Sequence, residues 1–450
     1  MGHGEIAVVG SGHVGTVTAA CLAELGHHVA AIDVDADLVG RLNASQIPFL
    51  EPGLTELVSS HLADGSLRFT TDYKEGLAEA QFIFLCVNTP PAITGATDLR
   101  YVRRAVAQIG VELSHSRRRP VLVNKSTSPI GTGETIDAIL KRTFARAEHH
   151  LPITANPEFL REGSGVHDFF HPDRIVVGGE DEASAASVAA LYEGIDCPVI
   201  ITDLRTAEMI KYVSNAFLAT KVSFINEIAR LCERLGVDVD LVARGAALDE
   251  RIGGHYFQPG VGFGGSCLPK DVAALQHTGE SVGVTMRILS AVQDVNLSQR
   301  KHAVNSIRAV LGPLEGLSIA AWGATFKRGS EDLRESPALD IIDLLRNEGA
   351  VVSVFDPSFS GNSERQVADR TCPSALEAAA GADCVAILTD WPEFSDVDLT
   401  ALARVMRGRL VYDGRNLLER AAVEAAGLTY CGVGRPANNH QGAAARFTSK

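Results

Sequence analysis

Short apolar runs alternate with amphipathic stretches through the N-terminal part of the chain. Residues 5–10 (EIAVVG) read as a β-rich run, 11–27 (SGHVGTVTAACLAELGH) as a helix closed by a glycine, and 28–35 (HVAAIDVD) as a second buried strand. Further apolar runs at 82–88 (FIFLCVN), 120–127 (PVLVNKST) and 174–179 (RIVVGG) alternate with helical segments. Strands in this rhythm predict a parallel sheet covered by helices on both faces. From Thr206 the pattern changes. Residues 206–236 hold no proline and no glycine before Gly236, which predicts one long helix. More helical sequence follows to Leu311, and strand-like runs return at 317–323, 350–357, 384–390 and 410–416. The expected architecture is therefore α/β: an N-terminal Rossmann domain over 1–205, a central domain with a long helix over 206–311, and a C-terminal Rossmann-like domain over 312–440. The small polar residues of 441–450 predict a flexible tail.

Composition narrows the function classes. With 450 residues the chain exceeds one ordinary core. A formal net charge of −14 argues against nucleic acid as the main partner. The one basic run, 114–120 (SHSRRRP), reads as a solvated loop. No apolar run reaches the ~18 residues of a membrane span, and the N-terminus lacks the basic start and apolar stretch of a signal peptide. The eight cysteines show no C-x-x-C pair and no metal spacing, which fits reduced thiols in the cytoplasm and no metal site.

Five motifs carry chemistry. GSGHVG places Gly10, Gly12 and Gly15 in the G-x-G-x-x-G spacing between a strand and a helix, with Asp33 ending the next strand. Gly10 permits the turn, Gly12 admits a pyrophosphate, and Gly15 lets helix and strand pack. Asp33 accepts ribose hydroxyls and repels a 2′-phosphate, so the cofactor expected is NAD. In 124–132 (NKSTSPIGT) the Ser-Thr pair reads, on its own, as a capped turn. Glu158, beside Phe159 and Leu160, reads equally as a surface glutamate or as a desolvated general base with a raised pKa. Lys211 and Asn215 share one helix face among apolar residues. Alone, that reads as a snorkelling lysine; the other reading is an oxyanion cradle. In 260–271 (GVGFGGSCLPKD) a glycine approach delivers Cys267 to the start of a helix, where a thiolate is stabilised. A thiol beside a dinucleotide site suits oxidation of an aldehyde through a thiohemiacetal and a thioester.

The ordered set VVGSGHVG, FLCVNTP, KSTSPIGT, NPEFLREG, KYVSNAFLATKVSFINE, DERIGGHYFQPGVGFGGSCLPKD, ATFKRGSEDLRESPA and DGRN resembles the nucleotide-sugar 6-dehydrogenases over nearly the whole chain. The resemblance implies two NAD-dependent oxidations of a sugar 6-hydroxyl to a carboxylate. It implies Cys267 as nucleophile, Lys211 and Asn215 as oxyanion donors, Glu158 as general base, and Thr127 and Asp271 as residues that position water. It implies NAD contacts at Gly10, Gly12, His13, Val14, Gly15, Asp33, Thr89 and Arg334. Substrate contacts are implied at Phe159, Leu160, Arg161, Lys211, Asn215, Arg251, Phe263, Gly264, Lys327 and Arg415. Arg251 is expected to reach the substrate of a second subunit, so a homodimer around the long helix is implied. The resemblance favours UDP-glucose as substrate, since DERIG and NAFLATK lean toward the glucose type; deoxythymidine and guanosine diphosphate sugars stay open, because Leu268, with LRESP, also suits the GDP-mannose enzymes. A non-catalytic nucleotide-sugar sensor is the reading of another class.

Overall fold

A computed structural model describes residues 4–435 except 93, 115, 145–149 and 360–366. The tail expected at 441–450 lies outside the described residues. The chain divides into two compact units. One consists of the described residues up to Ser214 together with Ala273–Val284; the other consists of Asn215–Val272 and the described residues from Thr285 on.

The first unit holds an eight-stranded sheet of β1 (Glu5–Val9), β2 (His28–Ile32), β3 (Leu67–Thr70), β4 (Phe82–Leu85), β5 (Val121–Asn124), β6 (Ile153–Ala155), β7 (Ile175–Gly179) and β8 (Val199–Asp203), in the order β3-β2-β1-β4-β5-β6-β7-β8. Every pair is parallel except β6 with β7, so the expected parallel sheet carries one antiparallel step. In β1, Ile6 and Val8 enter one hydrophobic cluster while Ala7 and Val9 enter another. Alternate side chains thus pack on opposite faces, both covered by helices, and this makes the strand read as an unbroken apolar run.

The second unit repeats the logic with β9 (Ser318–Trp322), β10 (Val351–Phe355), β11 (Arg370–Thr371), β12 (Cys384–Ile387), β13 (Leu410–Asp413) and β14 (Thr429–Gly432). Their order is β11-β10-β9-β12-β13-β14, all parallel. Ile319 and Ala321 of β9 face one cluster, Ala320 and Trp322 the other. Both sheets reverse direction beside their first strand, between β1 and β4 and between β9 and β12. Ligands of open α/β sheets bind outside the carboxyl ends of strands at such a point.

The expected long helix is Leu204–Leu235, 32 residues against the usual ~10–14. Helices Leu268–Ser281 and Arg287–Leu311 follow. Among the described residues no helix is long and apolar enough to cross a membrane.

Candidate active site

Gly10 N donates to Ile32 O at 2.8 Å, which closes the turn after β1 across to β2. A Cβ on Gly15 would lie 1.8 Å from Gly10 O, so helix His13–Glu24 packs against the turn only with glycine there. A Cβ on Gly12 would meet nothing within 4 Å, so that side of the turn has room for a ligand. Gly12 is the N-cap of this helix, whose first turn carries no acidic residue, and its free N–H groups and dipole favour a phosphate. Asp33 closes the cradle: Oδ2 accepts Ser11 N at 2.7 Å and Oδ1 accepts Asp35 N at 3.0 Å. The residues therefore fit a dinucleotide. In the second unit Asp356, after β10, accepts Ala324 N at 2.7 Å and Thr325 N at 3.0 Å, the same arrangement rebuilt.

Val14 is half-buried on the first turn of that helix. His13, beside it, leads to a residue that its sequence position did not reveal. Its Nε2 lies 2.7 Å from Glu51 Oε2, which also accepts Gly163 N at 3.0 Å. Thr89 Oγ1 donates to Thr127 O at 2.6 Å, tying the loop after β4 to the loop after β5.

Glu158 is buried, and Lys211 Nζ lies 3.1 Å from its Oε1. Thr127 Oγ1 donates to the same oxygen at 3.5 Å, and Oε2 accepts Leu160 N at 2.6 Å. Burial alone would raise the Glu158 pKa. The Lys211 ammonium and the Leu160 N–H outweigh it and hold the carboxyl below its ordinary value. The raised pKa expected from the apolar neighbours is thus corrected, because that reading lacked the lysine. The snorkelling reading of Lys211 is corrected as well, since the side chain is buried on a carboxylate. Phe159 stacks under the Arg174 guanidinium, 3.6 Å from its ring centre. Arg161 grips Asp168 through Nε at 2.9 Å and Nη2 at 2.6 Å.

Glu208, one helical turn before Lys211, is a second residue the sequence did not single out. It accepts Gly131 N at 2.7 Å and Gly133 N at 3.0 Å, anchoring the turn that follows Thr127. Burial pushes its carboxyl up to about 7. Its only sequence signal is an acid one turn from Lys211.

In the second unit Asp271 is wholly buried and accepts Asn215 Nδ2 at 2.6 Å and Lys270 Nζ at 2.6 Å. Cys267 immediately precedes helix Leu268–Ser281, and its carbonyl accepts Asp271 N at 2.9 Å, so the thiol stands at the helix N-cap. All eight cysteines lie within the described residues and carry thiols; only Cys267 is exposed. Phe263 and Gly264 are buried in the glycine loop before it. Arg415 donates to Leu388 O and Phe326 O, at 2.8 and 3.4 Å, and burial lowers its pKa. Lys327 Nζ lies 5.5 Å from the Phe326 ring centre. Arg251 pairs with Asp249 and Arg334 with Asp332, at 2.6 and 2.7 Å.

The phosphate-ready glycine turn with an acid at the next strand end suits NAD, and the exposed thiol at a helix N-cap in the second unit suits an oxidoreductase that works through a covalent intermediate. Comparison with known proteins makes the class specific. The NAD-binding domain of the UDP-glucose/GDP-mannose dehydrogenase family matches residues 4–196, its central domain 205–298 and its UDP-binding domain 320–420. The chain is 40% identical over 435 residues to the UDP-glucose 6-dehydrogenase TuaD of Bacillus subtilis, covering 96% of this chain and 94% of that one. It is 40% identical to the UDP-glucose 6-dehydrogenase of Rhizobium meliloti, over 96% of this chain and 100% of that one. Among solved structures it superposes on a UDP-glucose dehydrogenase from Pyrobaculum islandicum with a TM-score of 0.89 and 37% identity, covering 96% and 98% of the two chains. The chain belongs to the UDP-glucose/GDP-mannose dehydrogenase family.

Proposed function

We propose that this chain oxidises the 6-hydroxyl of UDP-glucose to the carboxylate of UDP-glucuronate in two NAD-dependent steps. The observation that carries the covalent part is Cys267, the one exposed thiol, set at a helix N-cap. The full-length likeness to UDP-glucose 6-dehydrogenases supports this sugar over dTDP-glucose or GDP-mannose. The complete set of functional side chains speaks against a sensor, which has no use for an exposed nucleophile.

In this reading NAD, held at the glycine turn, would supply the hydride acceptor for each oxidation, two per sugar. The first oxidation takes a hydride from C6 and releases the hydroxyl proton to water, leaving an aldehyde. The Cys267 thiolate adds to C6, and the resulting oxyanion is met by the Lys211 ammonium and the Asn215 amide. Loss of the second hydride leaves a thioester on Cys267. Glu158, kept ionised by Lys211, takes a proton from the attacking water, and Thr127 and Asp271 orient that water. The C–S bond then breaks and the acid leaves. Gly10, Gly12, His13, Val14, Gly15, Asp33, Thr89 and Arg334 hold the cofactor. Phe159, Leu160, Arg161, Phe263 and Gly264 shape the sugar site, with Lys327 and Arg415 on the diphosphate.

The three segments matched by the family models support domains over 1–205, 206–311 and 312–440. A homodimer through the long helix is supported by its exposed Met209, Val213, Phe217, Phe224, Leu231 and Leu235, whose spacing of four and seven puts them on one stripe. Arg251, its side chain 89% exposed, would then serve the partner's substrate. Eight thiols without a disulfide support a reducing cytoplasm.

Lys327→Ala is expected to raise the KM for UDP-glucose about tenfold, the loss of one charge-assisted phosphate contact, while the KM for NAD holds. Steady-state kinetics with each substrate varied in turn checks this, and an unchanged sugar KM would remove Lys327 from the site.

A further inference from the structure

The glycine loop before Cys267 follows a path fixed by side chains rather than by secondary structure. Gly260 N donates to Asn226 Oδ1 at 2.8 Å, and Gly260 O accepts Gln299 Nε2 at 2.9 Å. Phe263 is gripped in the same way by one residue: its N donates to Asn296 Oδ1 at 2.8 Å, and its O accepts Asn296 Nδ2 at 3.0 Å. Arg300 adds a bond from Nη2 to Phe263 O at 3.4 Å and one from Nη1 to Asn296 O at 2.9 Å. Arg230 Nε orients Gln299 through its Oε1 at 2.8 Å. Beyond Phe263, Gly265 N donates to Arg334 O at 3.1 Å. Asn226, Asn296, Gln299 and Arg300 are each 5% exposed or less.

Such side chains satisfy backbone groups that the buried loop cannot satisfy itself. Each N–H and C=O of Gly260 and Phe263 is matched by an amide of the complementary kind, so the four bonds select one backbone path. The loop is cut to the same template. Gly262 sits at φ +109°, and a Cβ on it would lie 2.6 Å from Asn296 Oδ1. Asn226 and Arg230 are four apart on helix Leu204–Leu235. Asn296, Gln299 and Arg300 occupy three- and four-residue spacings on helix Arg287–Leu311, so each helix presents one face.

We infer that Asn226 and Asn296, with Gln299, are positioning residues for the oxidation: they hold the 260–266 loop in its substrate-ready path before substrate arrives, and so place Cys267 and the sugar-contacting backbone. This rests on the proposed role of Cys267 and of Phe263–Gly264. Their effect passes through the loop, and they are not expected to touch the cofactor.

The test uses the full chain with Asn296→Ala and, from the opposite helix, Asn226→Leu. Amide exchange at Phe263 in the first variant, and at Gly260 in the second, is expected to quicken by about tenfold, as a buried donor loses its acceptor. The KM for UDP-glucose is expected to rise by a similar factor with the KM for NAD unchanged, and iodoacetamide should modify Cys267 at an altered rate. Unchanged exchange, unchanged sugar KM, or equal losses toward NAD and sugar would overturn the inference, the last because it marks general damage. If wild-type protein fails to oxidise UDP-glucose, the functional reading falls separately. Exchange at the two amides and the Cys267 alkylation rate then still decide whether the asparagines set the loop and the thiol. If one variant does not fold, the other carries the comparison.

Discussion

Cys267→Ala is expected to yield no UDP-glucuronate above background, a loss on the order of a thousandfold or more, while NAD still binds with its wild-type affinity. The reasoning is chemical. Without the thiol there is no thioester, and a free aldehyde offers no equally stabilised route to the acid. The NAD turn, by contrast, is built from Gly10, Gly12, Gly15 and Asp33 in the first unit, whereas Cys267 belongs to the second. Product analysis by mass spectrometry and a cofactor titration check the two halves separately. A normal yield of uronate from this variant would remove the covalent mechanism.

Lys211→Ala is expected to be nearly as damaging, and in a second way. On the proposed mechanism it deletes an oxyanion donor, worth about two to three orders of magnitude in rate. It also leaves Glu158 buried without its cation, and breaking a buried pair in this way costs about 3–5 kcal/mol. In the wild type the folded Glu158 sits below its ordinary pKa. Its contribution to stability is present above the unfolded value and is lost as pH falls through the folded value. In the variant the largest influence holding the carboxyl down is gone while burial and the Leu160 N–H remain, so its pKa is expected to rise from the wild-type position and protonation to cost less. The deficit in Tm should therefore be largest near neutral pH and should shrink as the pH is lowered toward ~4. Thermal melts across that range measure it. A deficit independent of pH would mean that the pair does not govern Glu158.

These expectations show which parts of the molecule were legible in its residues. The glycine turn was, because its steric demands are local: Gly15 packs on Gly10, five residues away. The two α/β sheets were visible through long buried runs such as β1 and β9. Strands β3, β6, β11 and β14, of two to four residues, were not read from the sequence, nor was β8, whose pattern is largely exposed. Pairs far apart in sequence were the hardest. The bonds from Glu51 to His13 and Gly163 span 38 and 112 residues, and nothing local marks them. Its neighbours alone read Lys211 as a snorkelling cation, and those of Glu158 left it evenly between a surface acid and a buried base with a raised pKa. Each is the other's ion-pair partner, 53 positions away along the sequence.

The most direct test of the central proposal is the number of NADH formed per UDP-glucose consumed by the wild-type protein, followed to completion with dTDP-glucose, GDP-mannose and UDP-N-acetylglucosamine in parallel. The account predicts two NADH per UDP-glucose, with the uronate as product. One NADH per sugar would mean that oxidation stops at the aldehyde and would contradict the role given to Cys267; two NADH with a different nucleotide sugar alone would contradict the substrate.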